Sequence, residues 1–255
     1  KSDIMLRIIF AIYQWLIAFP ILLGVTITIC ILTSILSPLL PNTNLSYFPA
    51  RAWGRLMCWL LFIRVDIKGL EHIKEGQSYV FVCNHQNVYD IFVVYGWMPL
   101  FFKWLMKKEL RRLPFVGKAS EAAGHIFVDR SNPRAAQKSL EIAQQRLQNG
   151  VSLVVFPEGT RTSDGSIGKF KRGAFQIASE LNLPIVPMTL NGAYERLRKG
   201  SYIVEPGLIE LIIHAPITWE ASDEAAQRAM MQQSREVIQQ SSRRLPGWFS
   251  SRTSR

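Results

Sequence analysis

From Ile8 to Ala50 the chain carries no charged residue, a run of 43 positions. Within it, Ile8–Leu36 is apolar on every helical face, interrupted only by Gln14 and a few threonines and serines. As an α-helix, a segment of that length reaches roughly 40 Å, beyond the ~30 Å hydrocarbon core of a bilayer. Three arrangements satisfy it: one tilted span, a span with an interfacial extension, or a hairpin bent at Pro20 or in the loop Pro38–Pro49. A cleaved secretory signal fits poorly, because the apolar run is too long and no A-x-A site follows it.

The next segment, Arg51–Arg64, reads RAWGRLMCWLLFIR. Trp53, Leu56, Met57, Leu60 and Leu61 form an apolar stripe, with Arg51 and Arg55 off it. The pattern predicts an amphipathic helix at a membrane interface, although a core-facing helix reads similarly. Arg51, Arg55 and Arg64 outnumber the net charge ahead of the run, where Lys1 and Arg7 face Asp3. The positive-inside bias therefore predicts a membrane protein whose body faces the cytoplasm, at the inner membrane if the source is bacterial.

From Val65 onward strands alternate with helices. Val65–Lys68, Tyr79–Cys83, His125–Asp129, Ser152–Phe156 and Ile185–Leu190 read as strands, and Tyr202–Val204 with Ile209–Ile213 as a final strand pair. Helices are expected at Val88–Trp97, Glu109–Ala123 (interrupted at Pro114), Pro133–Gln148, Gly173–Leu181 and Ser222–Arg244, with Asn132 and Ser222 as N-caps. The alternation predicts an α/β fold, a mostly central sheet flanked by helices. Two parts follow: membrane-anchoring helices over 1–64 and one catalytic-sized domain over 65–255. With 48% apolar and 19% charged residues, disorder is excluded. Cys30, Cys58 and Cys83 lack CxxC spacing, which excludes a disulfide scaffold or a zinc ribbon.

Four stretches could carry chemistry. Asn84-His85-Gln86-Asn87-Val88-Tyr89-Asp90 follows an apolar strand, at the sheet edge where α/β ligand sites lie. On one continuous helix His85 and Asp90 would stand ~140° apart. They meet only if His85 lies in the loop and Asp90 reaches back from the first helical turn. So arranged, Asp90 fixes the imidazole tautomer and leaves the other nitrogen as a general base. Phe156-Pro157-Glu158-Gly159-Thr160-Arg161 also follows an apolar strand, with Gly159 for close backbone approach and Arg161 as a fork for phosphate. Gly124–Arg130 delivers Arg130 to a strand end, and Phe170-Lys171-Arg172-Gly173 is a basic turn opening a helix. Leu183–Pro187 reads as a packing wall.

In this order and spacing, the His85-x4-Asp90 block, the G-x-x-F-x-x-R block at Gly124–Arg130, the F-P-E-G-T-R block at Phe156–Arg161 and the V-P block at Val186-Pro187 resemble the phospholipid-synthesis acyltransferases, the 1-acylglycerol-3-phosphate acyltransferases and their glycerolipid relatives. The resemblance covers roughly Val65–Gly192, and an amino-terminal membrane element is usual in that family. It departs at Asn87, where many relatives carry Ser. The resemblance implies acyl transfer from a thioester donor to the sn-2 hydroxyl of 1-acyl-glycerol-3-phosphate (lysophosphatidic acid), giving phosphatidic acid. His85 would be the general base and Asp90 its orienting partner. Arg130, Arg161 and Lys171 would bind the acceptor phosphate, with Glu158, Gly159 and Thr160 shaping that site. No cofactor or metal is expected, only acyl-CoA or acyl carrier protein as co-substrate.

Cys83 reads as a core thiol, and His72, His125 and His214 as structural. Three other classes stay in view: another lysophospholipid or glycerol-3-phosphate as acceptor, a non-catalytic adaptor of the same fold, and a hydrolase. The hydrolase lacks a G-x-S-x-G nucleophile. A net charge of +11 demands an anionic partner. Lys103–Lys118 places six basic residues against Glu109 among aromatics, as on a surface resting on anionic headgroups. Nucleic acid would leave the uncharged run unexplained and is not expected as a partner.

Overall fold

The computed structural model describes residues 2–129, 133–198, 200–219, 221 and 223–247. Arg130 and the proposed caps Asn132 and Ser222 lie outside them. The uncharged run forms helices α1 (Ser2–Tyr13) and α2 (Phe19–Leu39), joined by one π-helical stretch, Gln14–Ala18. The helix runs on through Pro20, which has no N–H to give, and the π-helical stretch before it, where the Phe19 amide donates to the Gln14 carbonyl, accommodates the missing bond. The segment Ile4–Leu39 is long and apolar enough to cross a membrane by length and composition.

The chain turns after Leu39, not at Pro20, and α3 (Asn44–Trp59) begins seven residues before Arg51. Thr43 and Ser46 close a reciprocal capping box there. The stripe expected to rest on a membrane packs inward instead. Trp53 meets Phe92 edge-on at 4.9 Å, and Arg51 and Arg55 donate to the carbonyls of Pro99 and Gly96. A Cβ on Gly54 would sit 2.4 Å from the Phe92 carbonyl, so glycine here lets two helix backbones touch. The outward face of α3 carries exposed Leu45, Phe48 and Trp59.

The remaining elements are β1 (Ile63–Lys68), β2 (Val80–Cys83), α4 (Tyr89–Trp97), β3 (Phe102–Lys107), α5 (Val116–Ala122), β4 (Ile126–Val128), α6 (Pro133–Arg146), β5 (Ser152–Val155), α7 (Gly173–Glu180), β6 (Ile185–Asn191), α8 (Ala193–Arg196), β7 (Gly207–Ile213) and α9 (Glu224–Ser241). They build one seven-stranded sheet in the order β1-β7-β6-β2-β5-β3-β4. Every pairing is parallel except β6 with β7. Apolar clusters cover both faces, one under α3 and α4, the other under α6, α7 and α9. An α/β fold with a central, doubly covered sheet is what the alternation predicted.

Two further expectations fail. Tyr202–Val204 is not a strand; β7 pairs with β1 and β6, and the loop's backbone instead clasps Gln14, which donates to the Tyr202 carbonyl and accepts from the Val204 amide. The basic segment after Phe101 begins as strand β3, with Phe102, Lys103 and Trp104 buried. Only its later residues, from Lys107, are exposed. Asp223 caps α9, its side chain accepting from the Ala226 amide.

Candidate active site

β2 is buried at every position, so its end delivers the following residues to the carboxyl edge of the sheet. Asn84 ties that exit to β6, exchanging two hydrogen bonds with the main chain of Leu190 (2.9 and 2.8 Å). His85 stays in the loop and Asp90 lies in the first turn of α4. Asp90 Oδ2 accepts from His85 Nδ1 at 2.7 Å and from the amides of Gln86 (2.5 Å) and Asn87 (2.9 Å). The carboxylate is fully buried, and its fixed bonds to the loop hold the imidazole with the proton on Nδ1. That leaves Nε2 for a bound group.

Asn87 serves the same turn. Its Oδ1 accepts from the Tyr89 amide, as a serine hydroxyl could, while Nδ2 donates to the carbonyls of Ala193 and Leu197, which a serine could not do together. The departure from the family pattern thus adds a tie to α8.

The second motif turns over the imidazole. Phe156 stacks on His85 with ring centroids 3.9 Å apart and planes inclined by 8°. Glu158 does not act as a contact in the cavity. Its Oε1 accepts from the His85 amide (2.8 Å) and its Oε2 from the Gly168 amide (2.7 Å). Burial pushes its carboxyl pKa up, and those two bonds oppose the rise. Glu158 therefore joins the two motif loops from beneath.

His85, Gly159, Thr160, Arg161 and Lys171 line one cavity of about 990 Å³. Arg161 and Lys171 are exposed at its polar end, and among the described residues neither has an ion-pair partner. The cavity continues between α2, α3, α4, β3 and α5 along mostly apolar side chains, among them Ile29, Trp53, Phe92 and Val116. Lys107 also lines it, at the carboxyl end of β3. Sequence reasoning missed Lys107 because it read no strand there, and only β3 puts this lysine at a strand's carboxyl end.

The other histidines are structural, as expected. His125 Nδ1 accepts from the Trp104 amide (3.1 Å), so Nε2 carries the proton and donates to the Tyr95 hydroxyl at 2.6 Å. Burial, with Lys103 and Arg146 nearby, lowers its pKa to about 3. His72 bonds the Ile213 carbonyl and His214 the Thr189 hydroxyl. Cys83 is a core thiol whose pKa is pushed up, chiefly by burial.

The model of the Acyltransferase family matches residues 64–191, which hold both motif loops and the strands that present them. The chain belongs to this family. Among curated acyltransferases it is similar to the 1-acyl-sn-glycerol-3-phosphate acyltransferase of Cocos nucifera, 37% identical over 66% of this chain and 55% of that one. The enzyme of the same name from Pseudomonas aeruginosa is 34% identical over 71% of this chain and 72% of its own. The chain thus spans little more than half the length of the plant relative. The crystal structure of the 1-acyl-sn-glycerophosphate (LPA) acyltransferase PlsC from Thermotoga maritima shares the fold, with a TM-score of 0.72 over 93% of this chain and 97% of that one at 24% identity.

Proposed function

We propose that this acyltransferase moves a fatty acyl group from a thioester donor to the sn-2 hydroxyl of 1-acyl-glycerol-3-phosphate, giving phosphatidic acid for phospholipid synthesis. The observation that carries the reading is the His85–Asp90 pair opening on a long apolar cavity with two unpaired cations at its polar end. His85 Nε2 takes the proton of the acceptor hydroxyl as that oxygen attacks the thioester carbonyl. The carbon–sulfur bond then breaks, and the proton passes from His85 to the departing thiolate. Asp90 holds the ring and stabilises its transient charge. No side-chain nucleophile is needed.

Arg161 and Lys171 bind the acceptor phosphate, joined by Arg130, and Lys107 adds a cation to the same end of the site. Gly159 and Thr160 form the wall between phosphate and base, and Glu158 positions that wall. The apolar length of the cavity takes an acyl chain and keeps water from the thioester.

The protein works at a membrane. Leu16 (72% exposed), Leu23 (63%) and Phe48 (65%) present apolar surface with no protein against it. α1 and α2 are also tied along their length, by Tyr13 to the Leu60 carbonyl and Thr26 to Trp53 of α3, which packs on α4, and by Gln14 to the 202–204 loop of the body. Ties so distributed favour a hairpin lying in one leaflet over a helix crossing free of the body.

The test is an assay of the purified full chain in detergent micelles. Lysophosphatidic acid, other lysophospholipids and glycerol-3-phosphate are offered with acyl-CoA or acyl carrier protein. Lysophosphatidic acid should give phosphatidic acid and one thiol per turnover. Transfer to another acceptor alone would overturn the substrate, and no transfer to any acceptor would overturn the activity.

A further inference from the structure

Next to the part of the cavity lined by Ser37, Ser46 and Ala123 lies a second pocket of about 270 Å³, with a different chemistry. Ser37 and Asn42 from the helical hairpin face Lys103, Gln145, Arg146 and Gln148 of the body. Lys103 is only 7% exposed, and its Nζ donates to Asn42 Oδ1 (2.8 Å) and to the Ala123 carbonyl (2.9 Å). Arg146 ends α6, and one of its amino groups, Nη1, donates to the carbonyls of Gly124 and His125, both at 2.8 Å.

Lys103 Nζ also lies over the Tyr47 ring at 5.4 Å, and these contacts leave one of its N–H groups, with Nε and Nη2 of Arg146, without a hydrogen-bond acceptor among the described residues. Among those residues no carboxylate lies within ion-pair distance of either cation. Burial and the neighbouring Arg146 lower the Lys103 pKa to about 8. A buried lysine beside a half-buried arginine, with unused donors and no counter-charge, is costly, and an oxyanion bound between them relieves both deficits.

We propose that Lys103 and Arg146 form a second oxyanion-binding site, distinct from the catalytic one, that takes a phosphate group between the helical hairpin and the body. Its occupant is a phosphate carried by an anionic lipid headgroup or free in solution. Because Lys103 already holds Asn42, a bound phosphate also fixes the turn between α2 and α3.

Thermal unfolding of the full chain in a zwitterionic detergent tests this, in an Arg161→Ala, Lys171→Ala background that removes both cations from the catalytic end. Inorganic phosphate is titrated against chloride at matched ionic strength. In parallel, phosphatidylcholine nanodiscs are compared with nanodiscs that also contain phosphatidic acid. A saturable rise in midpoint with phosphate makes the free ion sufficient, whereas a rise confined to phosphatidic acid assigns the headgroup. In either arm Arg146→Gln should weaken the half-maximal response about tenfold or more. Gln145→Glu, at an exposed position, brings a carboxylate to the pocket and should abolish the response while the protein stays folded. A midpoint indifferent to both probes, or a response that survives either substitution in folded protein, overturns the site.

Discussion

Two histidines line the same cavity, and their surroundings are opposite. His85 hydrogen-bonds a buried carboxylate through Nδ1 and keeps Nε2 for a bound group. His125 has both nitrogens engaged, one by the Trp104 amide and one by the Tyr95 hydroxyl, with Lys103 and Arg146 close by. A negative partner and an uncommitted nitrogen suit an imidazole to gain and lose a proton. A shell of fixed bonds and positive charges keeps the other neutral and still. Proximity to the cavity therefore does not separate a base from a brace; the partners do.

That contrast is open to attack in order of expected effect. His85→Ala should lower acyl transfer about 10³-fold in protein that still unfolds cooperatively, read by assay and calorimetry on one preparation. A retained rate would remove the base. His125→Phe should do the reverse, costing about 3 kcal/mol in urea unfolding because a buried amide and hydroxyl lose their partner, while kcat changes less than about threefold. Linkage sharpens it further. His125 has a folded pKa near 3, below its ordinary 6.5, so its contribution to stability is whole above pH 6.5. As the pH falls toward 3, about 1.4 kcal/mol per pH unit is lost, a slope the His125→Phe protein should lack.

At the catalytic end, Arg161→Ala should raise the KM for lysophosphatidic acid about tenfold with a smaller change in kcat. A fall in kcat alone would move Arg161 from ground-state binding to the transition state. Asn87→Ser should do least, keeping the cap on Tyr89 and losing only the ties to Ala193 and Leu197. About 1 kcal/mol of stability or less is at stake there.

What could be read from the sequence was local. His85 and Asp90 meet within six residues, so a strand end and a helix start suffice to bring them together. Glu158 could be placed near them, yet its partners, the amides of His85 and Gly168, follow from how two loops cross. β3 escaped because Lys103 reads as surface. It is tolerated inside because Asn42 and Ala123, 61 and 20 residues away, supply its acceptors. The helix around Arg51–Arg64 was recognised as amphipathic, but the pattern alone could not say whether protein or lipid covers the stripe. The cavity was illegible for the same reason, since its lining runs from Ile29 to Lys171.

The strand order also has a consequence in time. β1 pairs only with β7, so Ile63 finds Gly207 after most of the chain has been made. In a chain synthesised from its amino end at roughly 5–20 residues per second, the apolar helices emerge well before the sheet can close. Their exposed faces need cover during that interval. A bilayer close to the ribosome would supply it, so the anchor would settle first and the catalytic edge would be assembled afterwards on a chain already held in place.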